Sequence, residues 1–361
     1  MRKALRITSL SAILFGGLLG CLTPIEVKVE AAGGRLVVSG QISNISEQNV
    51  IQLGSTAELA RAPFPVSDAS ITLFDNLGNS FLYQEDFDIP GRYILPYLLG
   101  IPGRMYHIEI VRSDGRAYKS SPEKMPEVTV PINSATYEIE NKEIVDAEGA
   151  ARDVSFVKLF SNFSIPSTAK GLRLKWSVKE TFLLSPTDFP DIFGNIPPPC
   201  YIDQDANPQL VTLFDGSSVS LSSVEKYPLV ERQVDWTFLE KHYFTIYQSA
   251  ITDEAYEYWR RVNILANQSG SLFDTPPAEI VGNISTNGSD KPLGYFQAVN
   301  QSFIRFFLMP GDFPFPLLFD KCDFKGDKSI VDAIPNIDGY PTRCINCGKL
   351  PNNRYERPIW F

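Results

Sequence analysis

Short runs of alternating apolar and polar residues, separated by turn sequences, fill the chain from residue 34 to residue 126. Apolar side chains alternate at Ala69, Ile71 and Leu73, and the turn residues Asp75–Asn79 follow directly. Alternation places every second side chain on one face of a β-strand. Asp, Asn and Gly between two such runs favour a hairpin. The pattern repeats roughly every 10–15 residues, which predicts an antiparallel β-sandwich over residues 34–126.

After three prolines, at positions 122, 126 and 131, the predicted strands become longer, as in Leu172–Leu184. One helical pattern follows, with Thr252 as its N-cap and a predicted extent of residues 253–268. Four residues at helical spacing are expected to form its buried face: Ala255, Trp259, Val262 and Ala266. These features predict a larger β-rich domain over residues 127–361, with one short helix.

Composition supports the same fold class. The chain has 24 Phe, 15 Tyr and 27 Pro, and 43% of its residues are hydrophobic. Aromatic residues favour strands, and frequent prolines favour turns over long helices. The predicted fold is therefore dominated by β-structure: an N-terminal β-sandwich followed by the larger β-rich domain.

The first 20 residues have the parts of a bacterial signal peptide. Three basic residues, Arg2, Lys3 and Arg6, precede the mostly apolar segment Ile7–Leu19. The segment ends in Leu-Leu-Gly-Cys, which resembles a lipobox, so Cys21 is expected to carry a diacylglycerol and an N-acyl chain. Residues 1–20 are then a signal peptide and residues 21–33 a lipidated tether. The alternative is an ordinary signal peptide that happens to precede a cysteine.

The formal net charge of −9 becomes −12 when residues 1–20 are removed. An acidic protein repels nucleic acid, so no nucleic-acid partner is expected. Attachment to a membrane would come from the lipid at Cys21, since several acyl chains anchor a protein stably where one does not.

Four further cysteines are present: Cys200, Cys322, Cys344 and Cys347. An even number in an exported protein favours two disulfides, and the three possible pairings stay open. The alternative is a four-cysteine zinc site, although such sites usually combine two closely spaced pairs. We expect at least one bridge from Cys200 into the proline-rich segment after Met309. This bridge would tie down the last residues and hold Trp360 and Phe361 against the domain.

Oxygen-bearing side chains at alternate positions, Asp203, Asp205 and Asn207, make a weak calcium candidate. They do not form an EF-hand loop, because Pro208 and Phe214 stand where that loop needs Gly and Glu. A solvated acidic turn is the alternative interpretation. No other cofactor is expected.

The sequence gives little reason to expect an enzyme. It has two histidines, His107 and His242, and both lie in predicted strands. The sequence contains no GxSxG, HExxH or Walker motif. No catalytic residue is therefore predicted, and a non-enzymatic protein is expected.

Several stretches together resemble one family: LVVSGQIS, SDASITLFDNLGN, GRMYHIEIVRSDGRAYKSS, EAYEYWRRVN and CINC. Together with the lipobox, they are similar to a family of Bacteroidota lipoproteins of uncharacterised function, often encoded beside TonB-dependent receptors. The N-terminal part also resembles immunoglobulin-like and carboxypeptidase regulatory-like sandwiches. The resemblance implies an outer-membrane lipoprotein, with the cell surface favoured as its location, working beside a β-barrel receptor.

The resulting hypothesis is a non-enzymatic, lipid-anchored accessory protein of a TonB-dependent transport complex. It would bind the receptor or its substrate, which the sequence does not identify, through exposed aromatic loops such as Asp188–Phe193. The alternative is a structural or adhesive envelope lipoprotein without a role in transport.

Overall fold

The computed structural model describes residues 34–56, 64–145, 149–167, 169, 171–185, 198–209, 211–217, 219, 221–266, 280–289, 291–319 and 347–361. The predicted signal peptide and tether, the loop Asp188–Phe193, and Cys322 and Cys344 lie outside these residues.

β-Strands dominate the described residues, and one α-helix joins them, which confirms the predicted fold class. The strands are β1 (Leu36–Ser43), β2 (Val50–Ser55), β3 (Phe64–Pro65), β4 (Ser70–Asp75), β5 (Ser80–Leu82), β6 (Gln84–Glu85), β7 (Arg92–Ile94), β8 (Met105–Val111), β9 (Ala117–Ser120), β10 (Glu123–Lys124), β11 (Ile132–Val145), β12 (Ala151–Ser164), β13 (Arg173–Leu184), β14 (Cys200–Asp205), β15 (Thr212–Asp215), β16 (Ser223–Gln233), β17 (His242–Ala250), β18 (Ile284–Thr286), β19 (Leu293–Leu308) and β20 (Asn353–Arg354). The helix α1 spans Asp253–Ala266, and short 3₁₀ helices span Ser46–Gln48, Trp236–Leu239, Pro310–Asp312 and Cys347–Lys349.

The strands form three sheets. An 11-stranded sheet has the order β20-β14-β13-β17-β19-β1-β2-β7-β6, with β15 beside β13 and β3 beside β2. A 6-stranded sheet has the order β18-β9-β8-β4-β5, with β10 beside β8. A 3-stranded sheet consists of β11, β12 and β16. The large sheet therefore joins strands from both ends of the chain.

Strand β19, of 16 residues, connects the two halves of the large sheet. Its first part runs parallel to β1, with Leu293 opposite Val37 and Val299 opposite Ser43. Its second part pairs with β17 in antiparallel orientation, ending with Leu308 opposite His242. One continuous strand thus carries the sheet from the N-terminal half of the fold to the C-terminal half.

Even-numbered side chains of β19 enter two hydrophobic cores. Phe296 and Ala298 belong to the core formed with the 6-stranded sheet, which includes Ile71 and Ile108. Leu308 belongs to a second core, formed with the 3-stranded sheet. The same face of the large sheet therefore packs against both smaller sheets, and each half of the fold is a β-sandwich.

The strands of the sandwich predicted for residues 34–126 pair with strands from later in the chain. Strand β18 extends the 6-stranded sheet by pairing Ile284 with Ser120, and β19 extends the large sheet beside β1. Ile284, Phe296 and Ala298 also belong to the N-terminal core. A fragment ending at residue 126 would lose these strands and side chains, so we expect it not to fold alone.

A buried cluster of charged groups links three strands of the C-terminal half. The Glu180 carboxylate accepts hydrogen bonds from Arg232 Nε at 2.8 Å and contacts His242 Nε2 at 3.1 Å. The side chains of Glu180 and His242 are fully buried. The His242 ring also stacks on Phe238, with centroids 4.1 Å apart. Burial opposes ionisation of Glu180, but the His242 hydrogen bond and the charges of His242 and Arg232 hold its pKa below the ordinary value.

Replacing Gly294 with Ala should destabilise the protein strongly. Gly294 has a φ of +100°, and an added Cβ would lie 1.8 Å from the Val38 carbonyl oxygen in the parallel pair. Gly115 is the matched control, because its φ is +82° and an added Cβ meets no atom within 4 Å. We expect Gly115→Ala to cost the ~1–2 kcal/mol of a left-handed backbone and Gly294→Ala clearly more. Chemical denaturation measures both, and equal losses would contradict the close approach of β1 and β19.

Replacing Glu180 with Gln should lower the free energy of unfolding by about 1.5–3 kcal/mol, because it removes the buried charged acceptor of Arg232 and His242 and leaves Arg232 only its ion pair with Asp235. The lowered pKa adds a pH dependence: the carboxylate stabilises the fold above its unfolded-state pKa, and this contribution is lost as the pH falls through the folded-state pKa. The difference between wild type and variant should therefore shrink in acid. Glu138→Gln, which removes the exposed ion pair with Lys226, is the control and should barely shift the unfolding midpoint. Equal midpoints for both variants would show that the cluster contributes no stability.

Candidate functional site

Odd-numbered side chains of β19 lie on the sheet face opposite the two cores. Cross-strand pairs place Phe307 beside Tyr243, Arg305 beside Thr245, and Phe303 beside Tyr247. Aromatic rings from the segment after β20 join them. We call the resulting surface the aromatic face and define it by eight residues: Lys241, Tyr243, Tyr247, Phe303, Arg305, Phe307, Trp360 and Phe361.

The rings of the aromatic face contact one another around Tyr243. The Tyr243 centroid lies 5.2 Å from those of Phe307 and Trp360, and 4.9 Å from that of Phe361. Phe361 also packs on Tyr201 of β14, with centroids 4.8 Å apart. Trp360 and Phe361 are thus held against the sheet, as the sequence predicts.

Two cations lie on these rings. The Arg305 guanidinium carbon lies 3.6 Å from the Trp360 ring centroid, and Arg305 Nε donates a 2.8 Å hydrogen bond to Thr245 Oγ1. Lys241 Nζ lies 4.3 Å from the Phe307 centroid and 4.8 Å from that of Tyr243. Within the described parts of the chain, neither cation forms an ion pair with an acidic side chain. The face therefore combines apolar rings with positive charge that no acidic side chain among the described residues neutralises.

Part of the aromatic face is exposed to solvent. Phe303 and Phe307 of β19 are 50% and 45% exposed, while Tyr243 and Tyr247 of β17 are buried. A depression of about 510 Å³ is lined by Tyr243, Arg305, Phe306, Phe307 and Trp360. Trp, Tyr and Arg are the residue types that most often dominate the binding energy of protein interfaces. This arrangement suits contact with a partner that carries apolar and anionic groups.

Helix α1 covers another part of the same sheet face. Trp259 Nε1 donates a 2.8 Å hydrogen bond to Gln297 Oε1, and the Tyr258 ring packs on Tyr295. Desolvation lowers the pKa of Lys175, whose Nζ lies 4.1 Å from the Trp259 ring centroid, to about 7. The helix therefore shields this region of the sheet from solvent. The part of the sheet face that stays exposed is the end near Phe303 and Phe307.

The helix itself is confirmed, but its predicted buried stripe is only partly correct. Ala255 is buried, Trp259 and Val262 are half-buried, and Ala266 is exposed. The reason is that α1 packs on the outside of a sheet, and its last turn extends away from the packed surface.

Two of the predicted cysteines are joined in the structure. The Sγ atoms of Cys200 and Cys347 form a disulfide, with Cα atoms 6.1 Å apart and a sequence separation of 147. Both cysteines are buried in a small cluster with Phe182, Leu184 and Ile202. The bond links β14 to the segment that carries Trp360, and it occupies two of the four ligands that the zinc alternative requires. Cys322 and Cys344 lie outside the described residues.

The weak calcium candidates lie on and just after β14. Asp203 pairs with Arg354 Nη2 at 2.7 Å, and Asp205 pairs with Lys179 Nζ at 2.7 Å. Asn207 Oδ1 accepts a hydrogen bond from the Gln209 amide. Among the residues that the structure describes, no group of three or more His, Cys, Asp or Glu side chains is placed to hold a metal ion. Both carboxylates are thus engaged by basic side chains of the same chain.

Both histidines are held by their neighbours. His107 stacks on Phe74 with centroids 5.2 Å apart, and burial lowers its pKa. His242 belongs to the buried cluster with Glu180.

No helix within the described ranges is long and apolar enough to cross a membrane.

The sequence analysis did not predict the residues of β17 and β19 in the aromatic face as binding residues. The aromatic residues at alternate positions, Tyr243 and Tyr247 and again Phe303 and Phe307, were an available signal. Both strands also carry apolar residues on the core side, so alternation between apolar and polar positions does not mark the exposed face.

Comparison with known proteins places the chain in a family without identifying an activity. No curated protein gave a match. The crystal structure of trypsin-activated alpha-2-macroglobulin from Escherichia coli matches 62% of the chain at 11% identity and a TM-score of 0.18. The match spans only 15% of that protein, and the likeness is too low to support an argument. The profile of a domain of unknown function, DUF4249, matches residues 22–305, which is most of the chain. The protein therefore belongs to the DUF4249 family.

Proposed function

We propose that this protein is a non-enzymatic, lipid-anchored accessory protein of an outer-membrane transport complex, which uses the aromatic face to bind a TonB-dependent β-barrel receptor. The aromatic face is the observation that carries the proposal. It combines exposed Phe303 and Phe307 with two cations, Lys241 and Arg305, that have no acidic partner in the described parts of the chain. Cell-surface exposure is the favoured location.

The aromatic face lies far from the predicted lipid anchor, so its position favours contact with a partner protein over contact with the membrane at the anchor. The predicted tether precedes β1, and β19 begins beside Val37 and runs parallel to β1. At about 3.3 Å per residue, Phe303 lies roughly 33 Å along β19 from Leu293. The aromatic face is thus at the end of the strand that is remote from the tether.

The anchor and the transport partner rest on the sequence. The Leu-Leu-Gly-Cys motif supports lipidation at Cys21, and membership of an uncharacterised family is consistent with the lipoprotein resemblance described above. The association with TonB-dependent receptors comes from that resemblance alone. The non-enzymatic part also rests on the sequence, which contains no GxSxG, HExxH or Walker motif.

Replacing Phe307 with Ser should abolish co-purification with a receptor. The wild-type protein, extracted in detergent from the outer membrane, is expected to carry a stoichiometric β-barrel partner. Phe307→Ser removes a 45% exposed ring of the aromatic face, whereas the control Phe64→Ser removes a 57% exposed ring on β3. The control should retain the partner. Recovery of wild type as a lone monomer would instead favour a structural or adhesive envelope protein.

Replacing Cys21 with Ala should release the protein from the membrane fraction or leave it unprocessed, because the acyl chains would be missing. Fractionation and mass spectrometry of the N-terminus measure this. A Cys21→Ala variant that stays in the outer membrane with an unchanged N-terminus would overturn the lipoprotein assignment.

A further inference from the structure

We propose that the aromatic face binds an extended acidic segment of the partner protein, in which carboxylate side chains alternate with apolar ones. Arg305 and Lys241 would receive the carboxylates, and the rings of Phe303, Phe307 and Trp360 would receive the apolar side chains. This inference rests on the proposed function, because it specifies the chemistry of the partner.

Contacts within the chain position the Arg305 guanidinium to bind an anion. The central carbon of this guanidinium lies 3.6 Å from the Trp360 ring centroid, and Thr245 Oγ1 accepts a hydrogen bond from Nε. Guanidinium has five N–H donors, so donors remain that have no partner among the described residues. Such a fork matches a carboxylate in shape and charge.

Lys241 supplies the second positive charge. Its ammonium lies over the rings of Tyr243, Phe307 and Phe361, at 4.8, 4.3 and 5.8 Å from their centroids. Both cations therefore share one cluster of rings, since Tyr243 contacts Trp360 as well. Partial desolvation by the rings strengthens the attraction of an ammonium for a carboxylate.

Two nearby cations, Lys179 and Arg354, pair with carboxylates, whereas Arg305 and Lys241 have no acidic partner among the residues that the structure describes. Lys179 pairs with Asp205, and Arg354 pairs with Asp203, on the neighbouring strands of the same sheet. The chain as a whole carries a formal charge of −9. Two cations without an acidic partner in the described ranges favour an acidic occupant, because a basic or neutral one would leave their charge uncompensated on binding.

The spacing along β19 favours an extended segment over a small anion. Phe303, Arg305 and Phe307 occupy alternate positions on one face of the strand, as an apolar, cationic, apolar series. Alternate residues of a strand are roughly 6.6 Å apart, and alternate side chains of an extended peptide have the same spacing. A segment with the series apolar, acidic, apolar therefore matches the face in both charge and register.

Titration of the detergent-solubilised full-length protein with two capped pentapeptides tests the inference. One peptide is Tyr-Ser-Glu-Ser-Tyr, whose Tyr and Glu side chains project on one face of an extended chain, and the matched peptide replaces the Glu with Gln. We expect the Glu peptide to bind at least about tenfold more tightly than the Gln peptide. We expect Arg305→Gln and Lys241→Gln to remove most of this preference. Calorimetry gives the affinities, and circular dichroism checks that each variant is folded.

Two further variants keep the test decisive. Lys226→Gln is the matched control, because Lys226 also lies over an aromatic ring but is paired with Glu138, and its loss should leave the preference intact. Arg305→Lys retains the charge and should retain part of the preference if Arg305→Gln fails to fold.

Three results would overturn the inference: equal binding of the two peptides, no binding of either, or a preference unchanged in both Gln variants. Inorganic phosphate that displaces the Glu peptide at comparable concentration would also overturn it, in favour of a general anion site. None of these results depends on the receptor. A failure of the peptide preference is therefore distinguishable from a failure of receptor co-purification, which would count against the proposed function.

Discussion

The parallel pairing of β1 with β19 is the constraint on which the rest of the structure depends. It joins the beginning of the described chain to a strand more than 250 residues later, as the hydrogen bond between Gln41 and Gln297 illustrates at a separation of 256. The approach at Gly294 is so close that a methyl group would overlap the Val38 carbonyl. Parallel strands need a long crossover connection, and here that connection contains most of the C-terminal half. The two sandwiches consequently share one continuous sheet and are not independent domains.

The period of two in a strand then determines what each side of β19 does. Even-numbered side chains such as Phe296 and Leu308 enter the two cores and are fixed by packing. Odd-numbered side chains lie on the opposite face, where α1 covers those near Gln297 and solvent reaches those near Phe303 and Phe307. The stability of the fold and the candidate binding surface are therefore encoded in alternate residues of a single strand. A shift of one residue in its register would exchange the two sets.

Much of the local structure could be predicted from the sequence, because it is determined by neighbouring residues. The hairpin of β4 and β5 follows from alternation around Asp75–Asn79, and α1 follows from its cap at Thr252, whose Oγ1 accepts a hydrogen bond from the Ala255 amide. The parallel pair could not be predicted, because nothing near β1 specifies a partner so distant in sequence. The aromatic face was missed for a related reason. Its rings come from β17, β19 and the segment after β20, and only the tertiary fold brings them together.

The disulfide gives the aromatic face a rigidity that packing alone would not provide. Residues 347–361 add one two-residue strand to the edge of the large sheet, so few backbone hydrogen bonds hold them. The bond from Cys347 to Cys200 attaches this segment to β14, and closing a loop of this order of length stabilises a fold by up to ~4.7 kcal/mol on the chain-entropy account. Trp360 is thereby available to stack on Arg305 before any partner arrives. A long side chain that is already ordered loses less conformational entropy on binding, so the covalent link acts on the affinity of the face as well as on the stability of the fold.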